Sequence, residues 1–316
     1  MNSEVKHVAS KYGNLRIPNW PDDLIVRAIS EQGEWGAVES ALFSRLVTKS
    51  DTLFDLGAFL GTFSLGLLNH AKVSKVLAVE ANIHIQDYLE WNLNQNMDTP
   101  WALEKCAVGQ YHGWMCPQPL NQENNNGAQS FITCDENSVG AICSQPLWHL
   151  REEHGDYSLL KLDIEGSEVE ALASDADYIR SKKPVIWAEC NEDTRSLELF
   201  SMFIALGYRP LYVAFPAFRR DNFNGSENLI YPGVYEAALV GATDDRIKKF
   251  MSSIDADELI IRHPQTKHEL RQALFETPRW CREAWFDFSK AELIALLSRM
   301  ALGERFEEYL ICRSSN

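Results

Sequence analysis

The sequence predicts an α/β fold in which a mainly parallel β-sheet lies between layers of helices. Between residues 51 and 243, short apolar segments alternate with longer segments of helical periodicity. The apolar segments are continuous, which is typical of strands buried on both faces of a parallel sheet. Three of them end in a carboxylate. Because ligands of α/β proteins bind at the carboxyl edge of the sheet, this pattern also indicates where a site would lie.

The predicted elements follow one another in a regular order. We expect seven strands, near residues 52–56, 75–80, 101–107, 157–163, 184–190, 208–214 and 234–240. Helices are expected near residues 62–70, 83–95, 166–181 and 194–206. No clear helix joins the last two strands, which leaves an antiparallel final strand open. Polar insertions at 112–135 and 214–233 are long enough to indicate a functional or disordered loop.

The chain divides into three predicted segments. Residues 1–50 form a helical lead-in, because apolar side chains at 38, 42, 43, 46 and 47 have helical spacing. Residues 51–243 form the ligand-binding domain. Residues 244–316 form a helical appendage, in which Ser289 and Glu292 make a capping box and Gly303 ends the helix. Homo-oligomer formation through these C-terminal helices is an open expectation.

Composition narrows the classes of partner. The 316 residues include 30 basic and 45 acidic side chains, for a net charge of −15, which argues against nucleic acid and anionic membranes. No apolar segment approaches the length of a membrane span, and the N-terminus lacks a signal-peptide pattern. The seven cysteines are odd in number and include no C-x-x-C, so we expect reduced thiols in a cytoplasmic protein, without a disulfide framework or a zinc site.

A glycine turn after the first strand of the domain indicates a nucleoside ligand. The turn reads Asp55-x-Gly57-x-x-x-Gly61, and Glu80 ends the next strand. Glycine allows close approach of backbone to a ligand, and an acid at the second strand end accepts ribose hydroxyls. The turn lacks the G-x-G-x-x-G pattern that binds a dinucleotide pyrophosphate. S-adenosylmethionine is therefore the better-fitting ligand.

Further acids close two later strands. Asp163 follows residues 157–162 and Glu189 follows residues 184–188, so both should lie at the same sheet edge as Glu80. We assign Asp163 or Glu189 to the acceptor, with Glu165 and Glu168 as the next catalytic candidates. The last two are equally well explained as an acidic helix N-terminus. A divalent ion on Asp163, Glu189 and Asn191 is a less favoured alternative to a metal-free site.

These motifs, taken together and in order, resemble the FkbM family of S-adenosylmethionine-dependent methyltransferases. The resemblance covers residues 33–242 and rests on residues 33–35, 54–57, 78–80, 106–109, 160–166 and 185–189. Residues 221–228 resemble a loop found in one branch of that family. The chain departs from the family pattern at 142–148 and after residue 243, which leaves the acceptor open.

The resemblance implies a class I Rossmann-like methyltransferase that modifies a hydroxyl on a sugar, a glycan or a natural product. Asp55 and Gly57 would then face the methionine part of the donor, Glu80 its ribose, and Asn82, Ala107 and Val108 its adenine. Gly61 belongs to the same cofactor-binding turn, although close packing of the first helix explains it better. The acceptor would be a small molecule or a glycoside, contacted by Asp221, Asn222 and Asn228.

Two other classes of function stay open. An NAD-dependent oxidoreductase is disfavoured by the missing pyrophosphate pattern. A catalytically silent relative that only binds its ligand is disfavoured because Glu80, Asp163 and Glu189 are all present.

Overall fold

The computed structural model describes residues 5–118, 126–192, 194–228, 230, 235–255, 258–277, 288–289, 291–292 and 295. Its strands are β1 (Lys6–Ser10), β2 (Gly13–Ile17), β3 (Thr52–Leu56), β4 (Lys75–Val79), β5 (Trp101–Glu104), β6 (Ala107–Gly109), β7 (Gly113–Pro117), β8 (Phe131–Cys134), β9 (Ile142–Pro146), β10 (Leu159–Leu162), β11 (Val185–Glu189), β12 (Leu211–Pro216), β13 (Tyr235–Gly241) and β14 (Ile260–Arg262). Its helices are α1 (Leu24–Gln32), α2 (Ala37–Ser44), α3 (Thr62–Leu68), α4 (Gln86–Asn96), α5 (Leu147–His154), α6 (Glu168–Ser174), α7 (Ala176–Lys182), α8 (Thr194–Ala205), α9 (Asp244–Ser253) and α10 (Lys267–Glu276).

The central sheet confirms the predicted α/β, Rossmann-like fold class. Its strand order is β14-β12-β13-β11-β10-β3-β4-β5. The five adjacent strands β5, β4, β3, β10 and β11 are parallel. Strand β13 runs antiparallel to both of its neighbours, β11 and β12. All seven predicted strands are present. The prediction missed the short eighth strand β14, which pairs with β12 and lies in the segment expected to be helical.

The strands are buried on both faces, as their continuous apolar sequences predict. In β3, Leu53 packs into one apolar layer, while Phe54 and Leu56 pack into the other. The register places Phe54 beside Leu77 of β4 and beside Leu160 of β10. Successive side chains of a strand point to opposite faces, so each central strand contributes to both layers.

The first 50 residues differ from the helical lead-in that the sequence predicted. Helices α1 and α2 are present, but an antiparallel hairpin of β1 and β2 precedes them. This hairpin is attached to α4, because the Asn92 side chain accepts a hydrogen bond from Arg16 N at 2.7 Å and donates one to Arg16 O at 3.1 Å. Five-residue strands with mixed polarity give only a weak sequence signal.

Two strands of a second, four-stranded sheet, β7 and β8, lie within the polar loop predicted over 112–135. The order of this sheet is β6-β9-β7-β8, and β9 occupies the region that departs from the family pattern. The expectation of reduced thiols is wrong at two positions, because Cys116 and Cys134 form a disulfide between β7 and β8. Cys106 and Cys143 are free thiols. Pairing of the two strands brings the cysteines together, and sequence spacing does not reveal it.

The C-terminal segment is described only in part. Ser289 and Glu292 form the predicted capping box, in which Ser289 N donates to Glu292 Oε2 at 2.9 Å and Glu292 N donates to Ser289 Oγ at 3.3 Å. Gly303 lies outside the described residues. Over the part of the chain that the structure describes, no helix has the length and apolar character needed to cross a membrane.

Candidate active site

A cavity of about 740 Å³ lies at the carboxyl edge of the central sheet. It is next to the point where the strand order reverses between β3 and β10, which is where open α/β sheets bind ligands. Loops after β3, β4, β10 and β11 form its base, and α2 and the small sheet form its sides. Its lining includes these charged and polar side chains: Glu39, Glu80, Asn82, Lys161, Asp163, Glu165, Glu168, Glu189, Asn191, Glu192, Arg195 and Glu236.

The glycine turn is required by the packing of the strands. Gly57 has a φ of 81°, and its N–H donates to Val79 O at 2.9 Å. A Cβ added to Gly57 would lie 1.7 Å from the backbone oxygen of Asp163. Gly57 also lines the cavity, so the same residue joins β4 and β10 and leaves space for a ligand.

Two residues assigned to the cofactor lie away from the cavity. A Cβ on Gly61 would lie 3.1 Å from both Leu89 and Leu93, so this glycine allows α3 and α4 to pack closely, as the alternative interpretation expects. Asp55 is fully buried and accepts a hydrogen bond from Ser64 Oγ at 2.6 Å. Neither residue is in the cavity lining, and burial raises the pKa of the Asp55 carboxyl.

Glu80 lies in the cavity wall, directly after β4, as predicted. Its Oε2 accepts a hydrogen bond from Phe59 N at 2.8 Å, and its Oε1 accepts one from Asn82 N at 2.7 Å. Burial raises the pKa of this carboxyl to about 7, although the two backbone donors oppose the shift. Backbone therefore fixes both oxygens, and each retains a lone pair for a ligand.

The predicted adenine-side residues also line the cavity. Asn82 is buried, and its Oδ1 accepts a hydrogen bond from His84 N at 3.0 Å, which orders the turn after Glu80. Ala107 and Val108 belong to β6 of the small sheet and are almost completely buried. The three residues form a mixed polar and apolar wall on one side of the cavity.

Asp163 and Glu189 meet in the cavity as predicted, and Glu165 joins them. One carboxylate oxygen of each of the three lies within 4.8 Å of the others. Glu165 has a φ of 50°, in the left-handed region that non-glycine residues rarely adopt. Burial, with the nearby charges of Asp163 and Glu168, raises the pKa of the Glu165 carboxyl to about 8. Three carboxylates at this spacing suit a hard divalent cation. Asn191, the third residue of the predicted metal alternative, also lines the cavity.

Glu168, a catalytic candidate, has a structural role at the start of α6. Its Oε1 accepts hydrogen bonds from Ile164 N and Gly166 N, both at 3.1 Å. These bonds hold the loop that carries Asp163 and Glu165. Burial raises the pKa of the Glu168 carboxyl. We therefore assign Glu168 to loop support instead of to catalysis.

Lys161 and Glu39 are among the cavity residues that sequence reasoning missed. Lys161 lies in β10 with 4% of its surface exposed, and its Nζ donates to Asp163 Oδ2 at 2.8 Å. Glu39 of α2 accepts a hydrogen bond from Trp187 Nε1 at 2.9 Å, and burial raises the pKa of its carboxyl to about 7. A charged residue inside an apolar strand segment was the available signal for Lys161, because buried lysines are rare.

The long loop at 112–135 borders the cavity, but the predicted acceptor residues do not. Gln118, Asn126 and Phe131 belong to the lining. Asp221 pairs with Arg219, Asn222 bonds within its own loop through Ser226, and Asn228 donates to Glu31 Oε2 at 2.6 Å. None of Asp221, Asn222 and Asn228 reaches the cavity. The loop of residues 221–228 is held by its own hydrogen bonds and by the end of α1. Phe215 and Pro216 of β12, Ala217 directly after it and Glu236 of β13 line the cavity.

No protein-family model matches the sequence, and no curated protein matches it. Solved structures similar to this chain include the methyltransferase FkbM from Methylobacillus flagellatus, at 18% identity and a TM-score of 0.41, over 62% of this chain and 44% of that one. Precorrin-6y C5,15-methyltransferase from Geobacter metallireducens is similar at 13% identity and a TM-score of 0.38, over 65% of this chain and 87% of that one. TYW2 from M. jannaschii, solved with AdoMet, is similar at 12% identity and a TM-score of 0.38, over 77% of this chain and 86% of that one. At these values the similarities assign no family or activity.

Proposed function

We propose that this protein is an S-adenosylmethionine-dependent methyltransferase that methylates a hydroxyl oxygen of a small or glycosidic acceptor. One observation carries the proposal. The buried carboxylate of Glu80 lies in the same cavity as the Gly57 turn and the Asp163 end of β10, at the reversal of strand order. The acid proposed to bind the donor's ribose, Glu80, and the acid proposed to bind the acceptor, Asp163, therefore line the same cavity.

The cavity residues fit a nucleoside methyl donor. About 740 Å³ lies within the usual range for small-ligand pockets. Each Glu80 oxygen accepts one backbone hydrogen bond and has a further lone pair for a ribose hydroxyl. Ala107 and Val108 offer an apolar wall to the base. Within the described β3–α3 connection, Gly57 lines the cavity and Gly61 does not, which differs from the glycine-rich phosphate loop of dinucleotide-binding proteins.

The chemistry requires alignment and a proton acceptor. When bound, S-adenosylmethionine supplies a methyl carbon that an acceptor oxygen attacks as the carbon–sulfur bond breaks and its electron pair returns to sulfur. Asp163 or Glu189 would hold the acceptor hydroxyl and take its proton, which then passes to solvent. Asp163 is suited to this because it lines the cavity and its side chain is 38% exposed.

A divalent cation is the alternative way to lower the barrier to removal of the hydroxyl proton. Asp163, Glu165 and Glu189 are the residues that would hold it. Bound to those carboxylates, a hard cation would polarise the acceptor oxygen. Our favoured proposal uses the carboxylates without metal. Cytoplasmic location and self-association through the C-terminal segment are also proposals.

Binding and transfer are tested separately. Calorimetric titration of the purified chain with S-adenosylhomocysteine and with NAD distinguishes a methyl donor site from a dinucleotide site. We expect binding of S-adenosylhomocysteine only, and binding of NAD alone would overturn the proposal. Transfer of a labelled methyl group to a panel of sugars, glycosides and polyketide alcohols, with and without EDTA, then tests the acceptor class and the metal. Binding without transfer to any hydroxyl acceptor would favour a silent relative.

A further inference from the structure

A lysine lies in the wall of the cavity with almost all of its side chain buried. Lys161 is 4% exposed and belongs to β10, the strand that ends at Asp163. Burying an ammonium group costs several kcal/mol unless opposite charges and hydrogen bonds compensate it. An apolar residue at this position of a central strand would avoid that cost. The contacts of Lys161 therefore indicate what its charge does.

Lys161 contacts one carboxylate that lines the cavity and one that is buried in the sheet. Its Nζ donates to Asp163 Oδ2 at 2.8 Å and lies 3.9 Å from Asp55 Oδ1. That Asp55 oxygen accepts no hydrogen bond from any described residue, and Asp55 is fully buried. The ammonium also lies 5.3 Å from the centre of the Phe63 ring. Asp55 and Phe63 thus hold the lysine from the interior, and Lys161 holds Asp163.

We propose that Lys161 is a positioning residue that fixes the Asp163 carboxylate beside the reacting end of the methyl donor. The inference rests on the proposed function, because it concerns the donor site. Lys161 holds one oxygen of Asp163, so the carboxylate cannot rotate away from the cavity. Asp163, and not Lys161, is the group that faces the ligand. The positive charge of Lys161 partly compensates the negative charge of Asp163.

The two forms of the donor provide a test that needs no acceptor. S-adenosylmethionine and S-adenosylhomocysteine differ by one methyl group and by the positive charge on sulfur. A charge beside the sulfur changes affinity for the first and not the second, to first order. A contact that only supports the fold changes both affinities together. The ratio of the two affinities therefore reports the charges that Lys161 and Asp163 present to the sulfonium.

We would measure this ratio by calorimetry at fixed pH and in EDTA for wild type, Asp163→Asn, Lys161→Met and the double variant. Asp163→Asn should lower the preference for S-adenosylmethionine about three- to tenfold, because a negative charge beside the sulfonium is lost. Lys161→Met should lower it too, because the Asp163 carboxylate can then rotate away from the sulfonium, and a rise would overturn the positioning role. The double variant should lie within about twofold of Asp163→Asn, because Lys161 acts through Asp163.

The possible outcomes separate the two proposals. A ratio that is unchanged in Asp163→Asn and in Lys161→Met, with normal S-adenosylhomocysteine binding, would overturn the role of Lys161. Absence of binding of either compound to wild type would instead overturn the proposed function. If Lys161→Met does not fold, Lys161→Gln replaces it. Asp163→Asn decides in any case, because its side chain is partly exposed and an unchanged ratio there overturns the proposal.

Discussion

Glu80 and Asp163 directly follow strands β4 and β10 of the same sheet, but their carboxylates are held by different kinds of contact. Glu80 is 7% exposed and is bound through both oxygens by backbone N–H groups of Phe59 and Asn82. Asp163 has a side chain that is 38% exposed and is bound by the side chain of Lys161. Glu80, the proposed donor-side acid, is thus fixed by backbone, whereas Asp163, the proposed acceptor-side acid, depends on one neighbouring side chain. Substitutions should affect the two ends differently.

The largest effect should come from the residue that joins the two ends. Gly57→Ala places a Cβ against the backbone oxygen of Asp163 and imposes a φ of 81° on alanine. We expect a loss of more than about 3 kcal/mol in the free energy of unfolding, measured by urea denaturation. Gly225→Ala is the matched control, since Gly225 has a φ of 62° and open space around its Cβ position. It should cost about 1 kcal/mol. Equal losses would show that the close approach has no role.

The next effect concerns ligand binding at Glu80. Glu80→Gln replaces one acceptor oxygen by an amide that meets a backbone N–H. It also removes the charge that would receive ribose hydroxyls in the proposed site. We expect affinity for S-adenosylhomocysteine to fall about thirtyfold in calorimetry. Asp163→Asn, at the other end, should leave that affinity within about twofold of wild type, because Asp163 is assigned to the sulfonium and acceptor side. Equal losses in both variants would contradict the division between donor and acceptor ends.

The pH dependence of stability should distinguish the buried acid. The Glu80 carboxyl has a pKa of about 7 in the folded protein, against 4.5 ordinarily, because burial disfavours its charge. The folded state then binds more protons than the unfolded state between these values, so this contribution is complete below pH 4.5 and is lost as pH rises through 7. Wild type should lose about 3 kcal/mol more than Glu80→Gln in this interval, measured by urea unfolding. Parallel pH profiles would contradict the buried charge.

The smallest effect should occur in the loop that lies away from both ends. Asp221 is exposed and pairs with Arg219 Nε at 2.7 Å, so Asp221→Ala should change the free energy of unfolding by less than about 0.5 kcal/mol. Asn228→Ala should leave S-adenosylhomocysteine affinity unchanged, because Asn228 contacts Glu31 and not the cavity. A clear loss of S-adenosylhomocysteine binding in either variant would show that this loop contributes to the ligand site.

The sequence predicts the strands and the strand-end acids because these are local patterns. A continuous apolar segment followed by Glu80 or Asp163 needs only a few residues to be recognised, and parallel pairing then places both acids at one edge. Lys161 is hidden inside such a segment, and its contacts with Asp55 and Asp163 depend on the depth of the strand in the sheet. Side-chain depth is a tertiary property.

The sequence-based predictions for the loop of residues 221–228 and for the small sheet fail for related reasons. Asn222 is typical of a polar ligand-binding loop, but its side chain satisfies the backbone of its own loop at Arg219 and Ser226. Strands β7 and β8 are short and mix polar with apolar residues, so no period identifies them. The pairing that joins Cys116 to Cys134 across 18 residues is equally invisible in the sequence. In each case the deciding contact is made outside the local window.

The close approach of Gly57 to Asp163 also affects the order in which the site can be built during synthesis. The two residues meet only after β10 has joined β3, and more than 100 positions separate Thr52 from its partner Ser158. Contacts of such long range form late, because closing the loop between them costs entropy first. The glycine turn and Glu80 leave the ribosome early, but the turn lacks its partner until β10 has been made. A nascent chain ending before residue 157 would therefore carry the glycine turn and Glu80 without the folded form of the proposed donor site.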